Sequence, residues 1–357
     1  MSDKEKLLFI NPHQFGHTAG YYYYCKYLRT EYDIKYLGFD ERLKKLVMAG
    51  TNVIYIQQKK NKILRILNFL YNSIRESYRC NYDILYVYSF YLSFIIGLFA
   101  KKSRKILDIR TCSVSANPLK RRLINRLLSF NTLFFDRVIV LSPDLIKGLI
   151  INPLKYHYLP LGSEKYFGEN HTFDDLRLLY VGALNTRNIY QSIEGLYFFL
   201  ERNNFKPHIS YTIVGFGNIH EEDTIRESID KYGLKEYVVF DGRRSYDELP
   251  EYFEKCNIGV SWIPKTSVFD QQPATKTFEY LMSGLFCMAT STKANKDLIN
   301  NSNGILFNDN AHDFADALEE VYKNKNKYDS ARIRETVKEY SWQNLVENNL
   351  LPFLKSL

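Results

Sequence analysis

The sequence predicts an α/β protein made of two doubly wound domains, and three observations point there. Short apolar, strand-like runs alternate with helical patterns along the chain. The alternation breaks once, at Tyr158-Leu159-Pro160-Leu161-Gly162, and then resumes. At 357 residues the chain is long enough for two domains of ordinary size. Continuous apolar strands separated by helices mean parallel sheets covered on both faces. Such sheets take ligands beyond the carboxyl ends of their strands, so a central cleft between the two domains is the expected seat of chemistry.

In the first half, strands are expected at 7–11, 33–37, 52–56, 84–88, 105–109 and 137–141, with helices at 21–28, 60–76 and 119–129. The apolar stretch 84–100 approaches the length of a membrane span. Its β-rich start gives way to a helical end, which reads better as a buried strand followed by a core helix. The second half places strands at 177–181, 210–214, 237–240, 258–261 and 286–289. Helices at 189–202, 220–232, 246–255, 276–283 and 311–323 lie between and after them. The expected domains are 1–165 and 166–340, with a last helix in 341–357 packing back toward the first domain.

Composition narrows the function classes. With 45% apolar and 25% charged residues the chain is neither disordered nor fibrous. Cys25, Cys80, Cys112, Cys256 and Cys287 are scattered with no Cys-x-x-Cys pair. That speaks against a zinc ribbon or a secreted disulfide framework and for a reduced, cytoplasmic setting. The charge is lopsided: residues 1–165 hold 27 Lys and Arg against 12 Asp and Glu, and the rest of the chain holds 21 against 28. Two basic segments of the first half have helical apolar spacing. One aligns Ile63, Ile66, Leu67 and Leu70; the other repeats Leu119, Leu123 and Leu127 among Lys120, Arg121, Arg122 and Arg126. A basic amphipathic helix suits an anionic membrane surface, or is simply the solvated face of a helix packed on a sheet. No recognisable nucleic-acid module accompanies the charge, so nucleic acid is not an expected partner.

The second half carries the most specific chemistry. Val181-Gly182-Ala183 ends a strand, with Arg187 in the following loop, and Val214-Gly215-Phe216-Gly217 ends the next strand. Pro273-Ala274-Thr275-Lys276-Thr277-Phe278-Glu279 opens a helix that runs on to Gly284. A nucleoside diphosphate needs backbone N–H donors, a helix N-terminus and fixed positive charge. Glycines at 182, 215 and 217 let backbone approach a ligand, and Lys276 and Arg187 supply the charge from two sides. Glu279, at i+3 from Lys276, lies on nearly the same face. The plainer alternative is a helix-surface ion pair and ordinary turns. Asp241-Gly242-Arg243, after another strand, is either a turn or a wall against a nucleotide base.

Taken in order with Asp136-Arg137-Val138-Ile139-Val140, Leu159-Pro160-Leu161-Gly162 and Asn303-Gly304-Ile305-Leu306-Phe307, these motifs resemble the GT-B glycosyltransferases of family 4. These are retaining enzymes with two Rossmann-like domains and nucleotide-sugar donors. The resemblance implies that Arg187 and Lys276 neutralise the leaving diphosphate while Glu279 accepts hydrogen bonds from the ribose hydroxyls. It places Gly16, Thr275 and Arg243 in the donor site as well. The family often has a glutamate eight residues before Glu279; here Gln271 stands there, beside Asp270, and both are candidates for the sugar hydroxyls. Ala183 replaces a common arginine. Arg110 replaces a common histidine; always protonated, it can orient a substrate but cannot act as a base. His17, in the loop with Gly16, is the remaining first-half candidate, against the reading of a plain surface residue.

No Asp-x-Asp pair is present, so neither a metal nor another cofactor is expected. In this family the leaving phosphate itself helps deprotonate the acceptor. The implied activity is transfer of a sugar to a glycan or polyprenyl-linked acceptor in surface polysaccharide biosynthesis, at the inner face of the plasma membrane. An NDP-sugar epimerase of the same architecture and a catalytically inactive glycan- or nucleotide-binding protein are the alternatives.

Overall fold

The computed structural model describes residues 4–113, 115, 117–142, 146–244, 248–266, 269–270 and 273–357. The chain divides into two compact units, 1–161 with 342–357, and 162–341.

In the first unit the strands are β1 (Glu5–Ile10), β2 (Tyr32–Asp40), β3 (Thr51–Gln57), β4 (Ile84–Tyr88), β5 (Arg104–Ile109), β6 (Arg137–Val140) and β7 (Tyr156–Tyr158). They pair in the order β3-β2-β1-β4-β5-β6-β7, all parallel. Helices α1 (Ala19–Leu28), α2 (Lys62–Arg79), α3 (Ser93–Phe99) and α4 (Pro118–Asn131) connect them. Alternate residues of each strand feed two cores. Leu7, Phe9, Ile34 and Tyr86 face α1; Leu8, Ile10, Leu85 and Leu107 face the side that holds Phe69 and Leu70 of α2, Ile96 of α3 and Leu128 of α4. Strands buried on both faces must be apolar throughout, which is why they stand out in the sequence.

The helix starts are set by side chains. Asn61 Oδ1 accepts from the backbone N–H of Ile63 and Leu64, and Asn117 Oδ1 does the same for Leu119 and Lys120, with Pro118 opening α4. The stretch 84–100 is β4 followed by α3, and among the described residues no helix is long and apolar enough to cross a membrane.

Helix α2 turns only part of its apolar face inward. The helix buries Phe69, Leu70, Ser73, Glu76 and Ser77, so of the four apolar positions aligned by spacing only Leu70 is buried. Ser73 and Ser77 donate to the helix's own carbonyls, of Phe69 (2.8 Å) and Ile74 (2.6 Å), and Glu76 is neutralised by Lys35 (3.0 Å) and hydrogen-bonded by the Tyr82 hydroxyl (2.8 Å).

Residues 342–357 complete the first unit. The expected single helix is interrupted: α12 (Trp342–Leu345) runs into a π turn (Val346–Leu350) before α13 (Leu351–Lys355). Pro352 has no N–H to donate back along an α-helix, and the backbone widens just ahead of it. Trp342, Val346, Leu350 and Leu354 are buried in the α1 core, Trp342 stacking on Tyr23 with centroids 5.6 Å apart.

The second unit repeats the plan. Its strands are β8 (Leu176–Ala183), β9 (Ile209–Phe216), β10 (Val238–Gly242), β11 (Ile258–Ser261), β12 (Phe286–Thr290) and β13 (Gly304–Phe307). They pair in parallel in the order β10-β9-β8-β11-β12-β13. Around them lie α5 (Tyr190–Arg202), α6 (Ile219–Lys231), α7 (Leu249–Lys255), α8 (Thr275–Met282), the short α9 (Lys293–Lys296), α10 (Ala311–Asn324) and α11 (Ser330–Glu335). Helix α7 begins later than the expected 246, with Pro250 in its first turn; residues 246 and 247 lie outside the described residues. Strand order reverses between β8 and β11, and the carboxyl ends of those strands are where the motif residues gather.

Candidate functional site

Helix α8 is fixed to the sheet by its inward face. The Tyr280 hydroxyl accepts from Val181 N (2.7 Å), and Thr277 Oγ1 meets Ser261 Oγ (2.7 Å) and donates to Asn295 Oδ1 (3.2 Å). Gly259 lies beneath the Tyr280 ring, where a Cβ would come within 2.2 Å of it. These anchors hold Lys276, in the first turn of α8, against the end of β8. Its Nζ lies 3.7 Å from the centroid of the Tyr180 ring. A Cβ on Gly182, whose φ is +148°, would sit 2.7 Å from that Nζ. Glycine at 182 is therefore required both by its backbone conformation and by the ammonium beside it.

Lys276 is buried. Burial first, and then the nearby Arg187, push its pKa well below the ordinary lysine range, while Glu279 opposes the shift. Arg187 lies in the loop after β8, where Thr186 and Asn188 have positive φ and Arg187 N donates to Leu184 O (3.0 Å). Its guanidinium stacks 3.9 Å over the Phe269 ring, and its buried Nη1 has no hydrogen-bond partner among the described residues. Glu279 lies one turn beyond Lys276. Burial raises its carboxyl to about 7, against the pull of Lys276 and of a hydrogen bond with Tyr166. A buried lysine, a half-buried arginine and one carboxylate thus converge at the carboxyl end of β8.

The other second-unit candidates divide. Thr275 is exposed at the start of α8, where no side chain caps the helix. Gly215 packs against Gly182 O, 2.3 Å from where its Cβ would lie, and the amide of Gly217 donates to Glu222 Oε1 (3.4 Å). Arg243 stacks 4.6 Å over the half-exposed Phe216, while Asp241 binds Arg244 and Tyr252. Asp270 accepts from Lys293 N (3.0 Å) through Oδ1 and from Ala294 N (3.1 Å) through its backbone carbonyl, fastening its loop to α9. Gln271 lies outside the described residues.

In the first unit, the loop after β1 is tied down by the buried Gln14, which accepts from Glu41 N (2.9 Å) and donates to Leu43 O (2.8 Å). Gly16 has φ +86°, and a Cβ there would strike Leu46 at 2.5 Å. His17 is exposed, its Nε2 3.0 Å from Lys44 O. Arg110, just past β5, donates through Nε to Asp108 Oδ2 (3.0 Å) and faces the Tyr24 ring at 5.4 Å. Its Nη1 and Nη2 are buried with no hydrogen-bond partner among the described residues. Burial lowers Arg110 to about 10 and raises Asp108 to about 7, with the hydroxyls of Tyr21 and Tyr86 working against the latter shift.

Sequence reasoning missed Tyr180, Phe269, Tyr166, Asp108 and Gln14. Only Tyr180 left a signal: two residues before Gly182 on a strand, it shares that residue's face.

The raised carboxyls have a measurable consequence. Asp108 and Glu279 keep their protons in the folded state up to about 7, beyond the pH at which an unfolded chain has released them. Their contribution to stability is therefore fully present at the acid end and is lost as pH rises through about 7. The Tm of Asp108→Asn relative to wild type is expected to rise between about pH 5 and about pH 8. A difference that stays flat across that range contradicts the raised Asp108 carboxyl.

Among the described residues no cluster of three or more His, Cys, Asp or Glu side chains is placed to hold a metal ion. A cavity of about 500 Å³ lies at the opposite, amino-terminal ends of β12 and β13, lined by Phe286, Gly304, Tyr328 and Arg332 among others. None of the candidate residues lines it.

Comparison with known proteins agrees with the fold described above. The fold is shared, over the whole chain, with sucrose-phosphate synthase from Thermosynechococcus elongatus (TM-score 0.75, 15% identity, 99% of each chain). It is shared with HepE from Anabaena in complex with UDP and glucose (TM-score 0.73, 13% identity, 99% of this chain and 100% of that one). The lipopolysaccharide outer core galactosyltransferase WaaB is similar to the same extent (TM-score 0.69, 14% identity, 99% and 100%). No curated protein sequence matches the chain. Two parallel units of this topology define the GT-B fold. Residues 175–324, which contain Gly182, Arg187, Lys276 and Glu279, match the family model "Glycosyl transferases group 1".

Proposed function

We propose that the protein is a family 4 enzyme that moves a sugar from a nucleoside diphosphate to a glycan or polyprenyl-linked acceptor, with retention of anomeric configuration, in surface polysaccharide biosynthesis. The observation that supports it is the buried Lys276 with the half-buried Arg187 near it, beside Glu279. Each cation loses hydration and repels the other; a diphosphate placed against both reverses those costs at once. The UDP and glucose held by HepE fit that reading.

The chemistry follows from charge. As the sugar–phosphate bond breaks, negative charge develops on the diphosphate, and preorganised cations in a water-poor site lower that barrier most. Lys276 and Arg187 take the part a divalent ion plays elsewhere, so no metal or other cofactor is required in this proposal. Glu279, once ionised, accepts from the ribose hydroxyls and fixes the donor's register. A leaving phosphate oxygen receives the acceptor proton. Arg110, which cannot serve as a base, presents its two unpaired Nη groups to a substrate oxygen. The stacked Arg243 and Phe216 offer a flat surface to the nucleotide base. The basic first unit brings the enzyme to an anionic cytoplasmic membrane face, where a lipid-linked acceptor resides.

The test is a donor screen with UDP-, GDP- and dTDP-sugars, each with and without glycan acceptors, followed by chromatography and anomeric NMR. Acceptor-dependent release of nucleoside diphosphate with a retained anomer is expected. Conversion of the nucleotide sugar without acceptor identifies an epimerase instead, and binding without turnover an inactive receptor.

A further inference from the structure

The α2–α3–α4 side of the first unit bears an apolar face that the sheet does not use. On α2, Ile63, Leu67, Tyr71, Ile74 and Tyr78 follow one another at spacings of four, four, three and four, a single stripe along the helix. Ile74 is half-buried; the others are exposed, Ile63 by 69% and Leu67 by 54%. On α4 the stripe is Leu119, Leu123 and Phe130, exposed by 75%, 69% and 43%. Helix α3 touches both neighbours and links the two stripes. The Tyr78 hydroxyl donates to Phe99 O (3.3 Å), the rings of Phe94 and Phe130 lie 5.4 Å apart, and Leu98 and Phe99 are exposed.

Isolated apolar side chains on a surface need no explanation, but a continuous set across three adjacent helices does. The charges around it indicate the partner. Lys59, Lys60 and Lys62 stand at the start of α2, and Lys120, Arg122 and Arg126 alternate with the α4 leucines, all exposed. The three helices carry one carboxylate, Glu76, which is buried and paired with Lys35 and Arg79. Leucines and tyrosines flanked by cations, with no exposed acid between them, match the boundary between anionic headgroups and acyl chains. A polyanion such as nucleic acid would use the cations and leave the leucines in water.

We propose that this three-helix face inserts into an anionic lipid surface, with the leucine and isoleucine side chains entering the acyl boundary and the lysines and arginines at headgroup level. The inference rests on the membrane-facing reading given above and deepens it by naming the surface and its mode of attachment. Attachment has two parts of different salt dependence. The cations give a salt-sensitive approach, and the apolar stripe gives a hold that salt does not remove.

The test is co-sedimentation of the full chain with vesicles of phosphatidylcholine and phosphatidylglycerol, and with phosphatidylcholine alone. Leu67→Glu with Leu123→Glu is compared with wild type; both positions are exposed, and a thermal melt checks the fold. Wild type is expected to bind the anionic vesicles and to keep part of that binding in high salt. The double variant is expected to lose about tenfold or more of its partition. No wild-type binding, or equal binding by the variant, overturns the proposal. So does a wild-type dimer in solution that the variant converts to monomer, since a second copy then covers the face. Donor binding, measured without vesicles, is unchanged in the variant if the catalytic reading stands, so the two readings fail separately.

Discussion

Lys276→Ala is expected to lower sugar transfer by about a hundredfold to a thousandfold, the range for removing one preorganised group that meets developing negative charge. The Tm without nucleotide is expected to hold or rise. Burial and the proximity of Arg187 make the ammonium a burden on the unliganded fold, so its removal relieves strain that only a bound anion otherwise relieves. Lys276→Met, which keeps most of the side-chain packing over Tyr180, is expected to behave the same way. Arginine is not a conservative replacement, because the space beside the ammonium is already bounded by the Tyr180 ring and the Gly182 backbone. Initial rates and melts of the purified variants check both halves. Full activity, or a fall in rate matched by collapse of the fold, contradicts the role given to Lys276.

The second large effect concerns Glu279. Glu279→Gln keeps the shape and removes the charge, and is expected to weaken the donor by about tenfold to a hundredfold, the worth of hydrogen bonds to an ionised group. The loss should appear in KM for the nucleotide sugar. Because burial raises this carboxyl to about 7, wild-type donor affinity is expected to fall as pH drops below about 7, and the variant should not share that limb. A donor lacking the ribose 2′-hydroxyl separates the direct role from an indirect one. If Glu279 accepts from that hydroxyl, the deoxy donor and the variant lose overlapping energy, and the combined loss is less than additive. Independent, additive losses would show that Glu279 acts elsewhere.

The parts of this molecule that were readable from sequence share a physical cause. Parallel strands buried on both faces must be apolar along their length, so β4 and β11 were located to the residue and the others within a few positions, except the short β7 and β13, which the pattern did not mark. Glycines 182, 215 and 217 and the Lys276–Glu279 spacing were visible because a strand end and a first helical turn are local features. What was not readable depends on distant partners. Helix α2 is apolar over so wide an arc that its period does not reveal which part meets the sheet. The sheet took Phe69, Leu70 and three polar residues and left Ile63 and Leu67 outside. Phe269 reaches Arg187 from a loop 82 positions along the chain, and no spacing rule links them. Asp108 looked like one more strand residue until burial and the adjoining Arg110 gave it a distinct state.

Isothermal titration of the protein with UDP-, GDP- and dTDP-sugars tests the central claim most directly. One donor class is expected to bind, and Lys276→Ala and Arg187→Ala are each expected to abolish the heat. Binding of no nucleotide sugar, or undiminished binding by both variants, contradicts an anion site built from these two cations.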